Sequence, residues 1–141
     1  MITLIPFSQN HISYIINQSE INLEKLSSII IPDSRMSYTA MENGRYLGAG
    51  GLVPLWPQVA EAWVVLSAEG DRKKISVGRL IFKSISKIIE KNNFIRVQAT
   101  IHSKNMTAKR LIEWLGFSLE GEFTNYGPDL STYYHYTRQK L

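Results

Sequence analysis

Two strand-like segments flanking one amphipathic helix constrain this chain more than any other feature. Glu61 to Ser67 is dense in Trp and Val, too apolar to leave one side to water, and predicts a central strand. Leu80, Ile81, Ile85, Ile88 and Ile89 then recur at three- and four-residue intervals through Lys91, as on a helix with one buried face, and Asn92-Asn93 ends the run. Phe94 to His102 alternates as a second strand. Strand, crossover helix and strand in that order predict a parallel pair within 61–102.

The flanking sequence adds elements to both sides. Ile2 to Phe7 reads as a first strand, Ser8 as a helix cap before Ile12, Ile15 and Ile16, and Asn22 to Ile30 as a second short helix closed by Pro32. Arg35 to Glu42 and Tyr46 to Leu55 read as a hairpin around Asn43-Gly44, followed by a turn from Pro54 to Pro57. Gly48, Gly50 and Gly51 weaken the second of these strands and suggest a bulge or a close backbone approach. Ala68 to Val77 is polar and basic and reads as a loop leading into the basic helix. Asn105 to Leu115 is a second amphipathic helix with Ala108, Leu111, Ile112 and Leu115 inward and Gly116 as its stop. Phe117 to Asn125 and Ser131 to Arg138 are strands separated by Tyr126-Gly127-Pro128-Asp129. The order β-α-α-β-β-β-α-β-α-β-β predicts an α/β protein with a mixed sheet. With 141 residues, no repeat and no linker, one domain over 1–141 is expected.

Zero cysteines remove disulfides, thiolate zinc sites and a cysteine nucleophile, and three scattered histidines argue against a metal site. Pro6 interrupts the apolar start with no cleavage signature behind it, and no apolar stretch approaches the roughly 18 residues of a membrane span, so a soluble cytoplasmic protein is expected. The net charge of +4 is unevenly spread: residues 72–110 carry +10 and the remainder −6. Such asymmetry points to an anionic partner, a phosphate-rich small molecule or a nucleic acid. Arg79, Lys83, Lys87 and Lys91 share one helix face, which reads as its solvated side; no aromatics interleave with them to stack bases, so nucleic acid is the weakest partner reading.

The passage Lys73-Lys74-Ile75-Ser76-Val77-Gly78 into Arg79 delivers backbone amides at a helix start beside several cations, a natural cradle for phosphate oxygens. Downstream, Asn105-Met106-Thr107-Ala108-Lys109-Arg110-Leu111 runs to Leu115-Gly116-Phe117 and Glu120-Gly121. Together these segments resemble the GNAT superfamily of acyl-CoA-dependent N-acyltransferases, in which an R/Q-x-x-G-x-G/A loop holds the CoA pyrophosphate and an N-x-x-A-x-x-L helix packs along CoA. The resemblance implies a mostly antiparallel twisted sheet of about seven strands with about four helices, and acetyl-CoA as co-substrate with no metal. It assigns cofactor binding to Leu66, Lys73, Lys74, Ile75, Ser76, Val77, Gly78, Arg79, Asn105 and Lys109. Glu61-Ala62-Trp63, Trp114 to Phe117 and Tyr126 to Asp129 are further similar to small GNAT-like proteins of tailed bacteriophages, some of them internal virion proteins.

Two departures stand out. Serine replaces the loop's middle glycine at Ser76, and Ile112 occupies the position where many members carry a proton-donating tyrosine. A donor would then come from Tyr126, Tyr133, Tyr134 or Tyr136, or be dispensable, because a thiol of pKa about 8.5 leaves as thiolate when stabilised. Glu61 is the best-placed base for deprotonating an amine, the alternative being a strand-end acid facing water; His102 and Ser103 lie at a strand's carboxyl end. The resemblance thus implies an N-acetyltransferase acting by direct transfer on an unidentified amine, with Glu61 and Tyr126 as catalytic candidates, as monomer or homodimer. The rivals are a catalytically weak GNAT-like protein of a phage virion or of host interaction, and a basic nucleic-acid-binding domain.

Overall fold

Asn43 and Gly44 both adopt left-handed backbone (φ 51° and 77°), the two-residue turn that lets strands continue with their natural twist. They join β2 (Ser37–Glu42) to β3 (Arg45–Trp56), and β1 (Thr3–Pro6) pairs antiparallel with the other edge of β2. The computed structural model describes residues 1–17 and 36–139, so the helix expected over 22–30 lies outside the described residues. In α1 (Asn10–Asn17), the Ser8 carbonyl accepts from His11 N–H at 2.9 Å while Ser8 N–H donates to His11 Nδ1 at 3.1 Å, a reciprocal cap. Ile15 is fully buried with Phe7, Ala49 and Val65, and Ile12, Tyr46 and Trp63 pack against that cluster.

The glycine-rich strand contains a bulge. Ala40 pairs with Gly48 but Met41 with Tyr46, leaving Leu47 as the extra residue. Its carbonyl accepts from the backbone N–H of Ser67 (2.9 Å) and from the Ser67 hydroxyl (3.1 Å). The same hydroxyl accepts from Gly70 N–H at 3.0 Å and so caps α2 (Ala68–Arg72). The approach is so close that a Cβ on Gly70 would lie 1.7 Å from the Leu47 oxygen.

Two expectations need correction. The Pro54 to Pro57 turn is shorter: β3 runs through Trp56, and only Pro57 and Gln58 turn the chain into β4 (Val59–Leu66). Pro54 lies beyond Gly51, where the described pairing of β3 with β2 ends. The polar stretch 68–77 is not a loop. It forms α2, a turn at Lys73, and the start of α3 (Lys74–Lys91), which buries Val77, Gly78, Ile81 and Ile85 and exposes Arg79, Lys83, Lys87 and Lys91.

β5 (Arg96–His102) runs parallel to β4 from Val59↔Arg96 to Glu61↔Gln98, the pair expected from the crossover helix. β7 (Tyr133–Gln139) is antiparallel to β5 along its whole length, and β6 (Ser118–Phe123) is antiparallel to β7. The sheet has seven strands in the order β1-β2-β3-β4-β5-β7-β6. Asn105 caps α4 (Met106–Trp114) by accepting from Ala108 N–H at 3.0 Å, and Gly116 (φ 92°) follows its end. The described residues form two compact units, 1–17 and 36–53 with 62–91, and 54–61 with 92–139. Among the described residues no helix is long and apolar enough to cross a membrane.

Candidate functional site

In the second unit, strand alternation puts Arg96, Gln98, Thr100 and His102 on one face of β5, with Tyr133, His135, Thr137 and Gln139 opposite them on β7. Glu61 joins this face from β4, at the last residue pair that β4 makes with β5. Gln98 Nε2 donates to Glu61 Oε2 at 2.9 Å. Burial pushes the Glu61 carboxyl above the usual carboxylate range, while bonds from Gln98 and Thr100 and the fields of His135 and Arg96 hold the rise back. A half-buried carboxylate whose proton affinity is raised accepts a proton more readily than one facing water.

Arg96 organises the rest of this face. Its Nη1 and Nη2 grip Glu120 (2.9 and 2.5 Å), its Nε donates to Gln98 Oε1 (3.0 Å), and Nη2 lies 3.3 Å from His135 Nε2. Glu120 also accepts from Thr137 (3.2 Å) and Gln139 (3.1 Å). These donors, the Arg96 guanidinium foremost, hold its carboxyl down to about 2. No motif in the sequence marks Arg96, Gln98, Thr100 or His135. The alternation of Arg96, Gln98 and Thr100 along β5 is visible in the sequence, but the pairing that sets His135 of β7 beside them is not.

The tyrosines divide. Tyr136 is buried and donates to Glu113 at 3.0 Å; burial and that carboxylate push its hydroxyl up to about 12. Burial raises Tyr133 as well. Tyr134 lies under Lys109, whose Nζ is 4.5 Å from the ring centre. Tyr126 is exposed, its ring against Phe123 and Tyr133. Ile112 is half-buried on α4, and His102 accepts from Lys104 N–H at 3.1 Å, a structural use.

In the first unit, the Lys73 amide donates to Gly70 O and its ammonium pairs with Glu42, which also holds the Met1 amine. Lys73 is therefore already engaged through both groups. The first helical bond of α3 runs from Val77 N–H to Lys73 O at 3.0 Å, so the amides of Lys74, Ile75 and Ser76 precede the intrahelical ladder, at the positive end of an 18-residue helix. Ile75 and Ser76 are exposed there, while Leu66 ends β4 half-buried. Among the described residues no group of three His, Cys, Asp or Glu side chains could hold a metal ion.

A family model for the acetyltransferase (GNAT) domain matches residues 8–137, and the chain belongs to that family. Against the curated proteins no match is found. Among solved structures, Ard1 from Thermoplasma volcanium has a TM-score of 0.77 at 16% identity, covering 99% of this chain and 98% of its own. A GNAT-family acetyltransferase from Streptococcus pneumoniae has a TM-score of 0.78 at 12% identity with both chains fully covered. The ribosomal-protein-S18-alanine N-acetyltransferase from Escherichia coli has a TM-score of 0.75 at 16% identity, covering 99% and 94%. At these identities the likeness concerns the fold, a mixed and mostly antiparallel seven-stranded sheet with four helices among the described residues.

Proposed function

We propose that this protein is an acetyl-CoA-dependent N-acetyltransferase that moves the acetyl group directly to an amine, with Glu61 as general base. The observation that carries the reading is the half-buried Glu61 carboxylate, kept basic by burial at the last β4–β5 pair. An ammonium has no lone pair to attack with, and Glu61 accepts the proton that frees it. Acetyl-CoA supplies an activated thioester whose sulfur leaves as thiolate. Of the four candidate donors Tyr126 is the exposed one, whereas Tyr136 is committed to Glu113.

The residues at the start of α3 fit the pyrophosphate of CoA: the amides of Lys74, Ile75 and Ser76 offer donors at a positive helix end, with Arg79 adding charge. Lys73 contributes through its place at the turn, since its ammonium is spent on Glu42. Asn105 keeps its amide NH2 outside its capping bond, where it supports the thioester arm. The bacteriophage likeness rests on its short sequence segments alone and adds nothing to this reading.

The test is calorimetric titration with acetyl-CoA, followed by a mass-spectrometric screen of peptides and small amines for acetylated product. Tight binding and a product support the proposal. Binding without any product overturns the enzyme reading and leaves a CoA-binding protein.

A further inference from the structure

A glutamine amide beside a carboxylate has two orientations: one aims its NH2 at the carboxylate, the other sets oxygen against oxygen. On the polar face of the second unit, Gln98 has its Nε2 2.9 Å from Glu61 and its Oε1 3.0 Å from the Arg96 Nε–H. Arg96 has only donors, so the atom it meets must accept, and the orientation of Gln98 follows. Arg96 is in turn fixed by a two-pronged grip on Glu120, the acid of the Glu120-Gly121 segment, which Thr137 and Gln139 hold from β7. A longer contact adds a second arm: Arg96 Nη2 faces His135 Nε2 at 3.3 Å, which directs the Nδ1 proton of His135 towards Thr100 Oγ1 at 3.5 Å.

We infer that Arg96, anchored by Glu120, is the positioning residue for Glu61, locking Gln98 in the orientation that donates to the carboxylate. This rests on the reading of Glu61 as base for its catalytic consequence, but not for its physical content. The groups that face Glu61 are Gln98, Thr100 and Arg96 from β5 and His135 from β7, with Glu120 behind Arg96 on β6. Charge alone does not do this work. A lysine at position 96 would keep the positive charge, yet its single ammonium cannot hold both Glu120 oxygens and the Gln98 oxygen in one plane.

The experiment is a carbon-13 NMR titration of the Glu61 carboxyl in the unmutated protein and in Gln98→Leu, Arg96→Lys and the double variant, without acetyl-CoA or amine. Removing a donor from a carboxylate raises its midpoint. Gln98→Leu should raise it by about half a pH unit or more, about threefold in proton affinity. Arg96→Lys should raise it comparably, and the double variant no further than Gln98→Leu alone, because both cut the same arm. An unchanged midpoint in Arg96→Lys, or full additivity in the double variant, overturns the inference. Glu120→Gln, which loosens Arg96 without touching its charge, should move the midpoint the same way and serves where Arg96→Lys fails to fold. If the midpoints move as expected but no amine is acetylated, the base reading falls and the arm stands. If Glu61→Gln abolishes transfer while Arg96→Lys leaves the midpoint in place, the base stands and the arm falls.

Discussion

The junction of Leu47, Ser67 and Gly70 and the face around Glu61, Arg96 and Glu120 are each networks of hydrogen bonds, but they are held in opposite ways. At the first, a bulged carbonyl meets a helix cap with no room for a methyl group, so main-chain position is fixed by steric exclusion. At the second, the partners are rotatable charged and amide side chains on pleated strands, and what is fixed is orientation and proton affinity. A contact fixed by exclusion fails when atoms are added. One fixed by oriented donors shifts its titration when a donor is exchanged.

The largest effect should come from adding one carbon at the first region. Gly70→Ala places a Cβ 1.7 Å from the Leu47 oxygen, so the backbone must move, and denaturant unfolding should show a loss of about 3 kcal/mol. Ser67→Ala removes the cap of α2 and one donor to Leu47 without adding bulk, and should cost about 1–2 kcal/mol by the same measurement. Equal losses in the two variants would contradict the steric account.

The second region should answer to pH. Glu120 is depressed from its ordinary 4.5 to about 2, so its bonds stabilise the fold fully above 4.5, and that contribution is lost as pH falls towards 2. Glu120→Gln should flatten the stability profile in that window. Glu61 has the opposite sign. Its raised value means the folded protein binds the proton more tightly than the unfolded chain, so its share of stability is lost as pH rises through the folded value. At neutral pH Glu61→Gln should therefore be neutral or slightly stabilising in thermal unfolding. The smallest effect belongs to Lys83, Lys87 and Lys91, all exposed. Changing all three to glutamine should leave acetyl-CoA affinity within a few-fold, whereas a large salt-dependent loss of DNA affinity would point to a nucleic-acid role.

What the sequence made legible was local. Asn43-Gly44 needs left-handed backbone, α4 carries its own cap and stop in Asn105 and Gly116, and the apolar spacing of α3 implies a crossover between parallel strands. Where a distant partner decides the outcome, the residues alone were silent. Pro54 looked like a turn because nothing nearby shows that β2 stops short of it. The segment 68–77 looked like a loop because its polar residues hide a cap whose acceptor, Leu47, is twenty residues upstream. Glu61 could be named from its position on a central strand, but its bond to Gln98 depends on the β4–β5 register and the nearness of His135 on β7 lying between β5 and β6, which no spacing in the chain encodes.

The central claim, that Glu61 takes the proton from the amine, is tested most directly by comparing Glu61→Gln with the unmutated protein for both acetyl-CoA affinity and single-turnover acetyl transfer. Glutamine keeps the shape and can still bond Gln98 but cannot serve as a base. The account predicts unchanged affinity with transfer slower by roughly 10²-fold or more. Transfer at an unchanged rate, with the same dependence on pH, would contradict it.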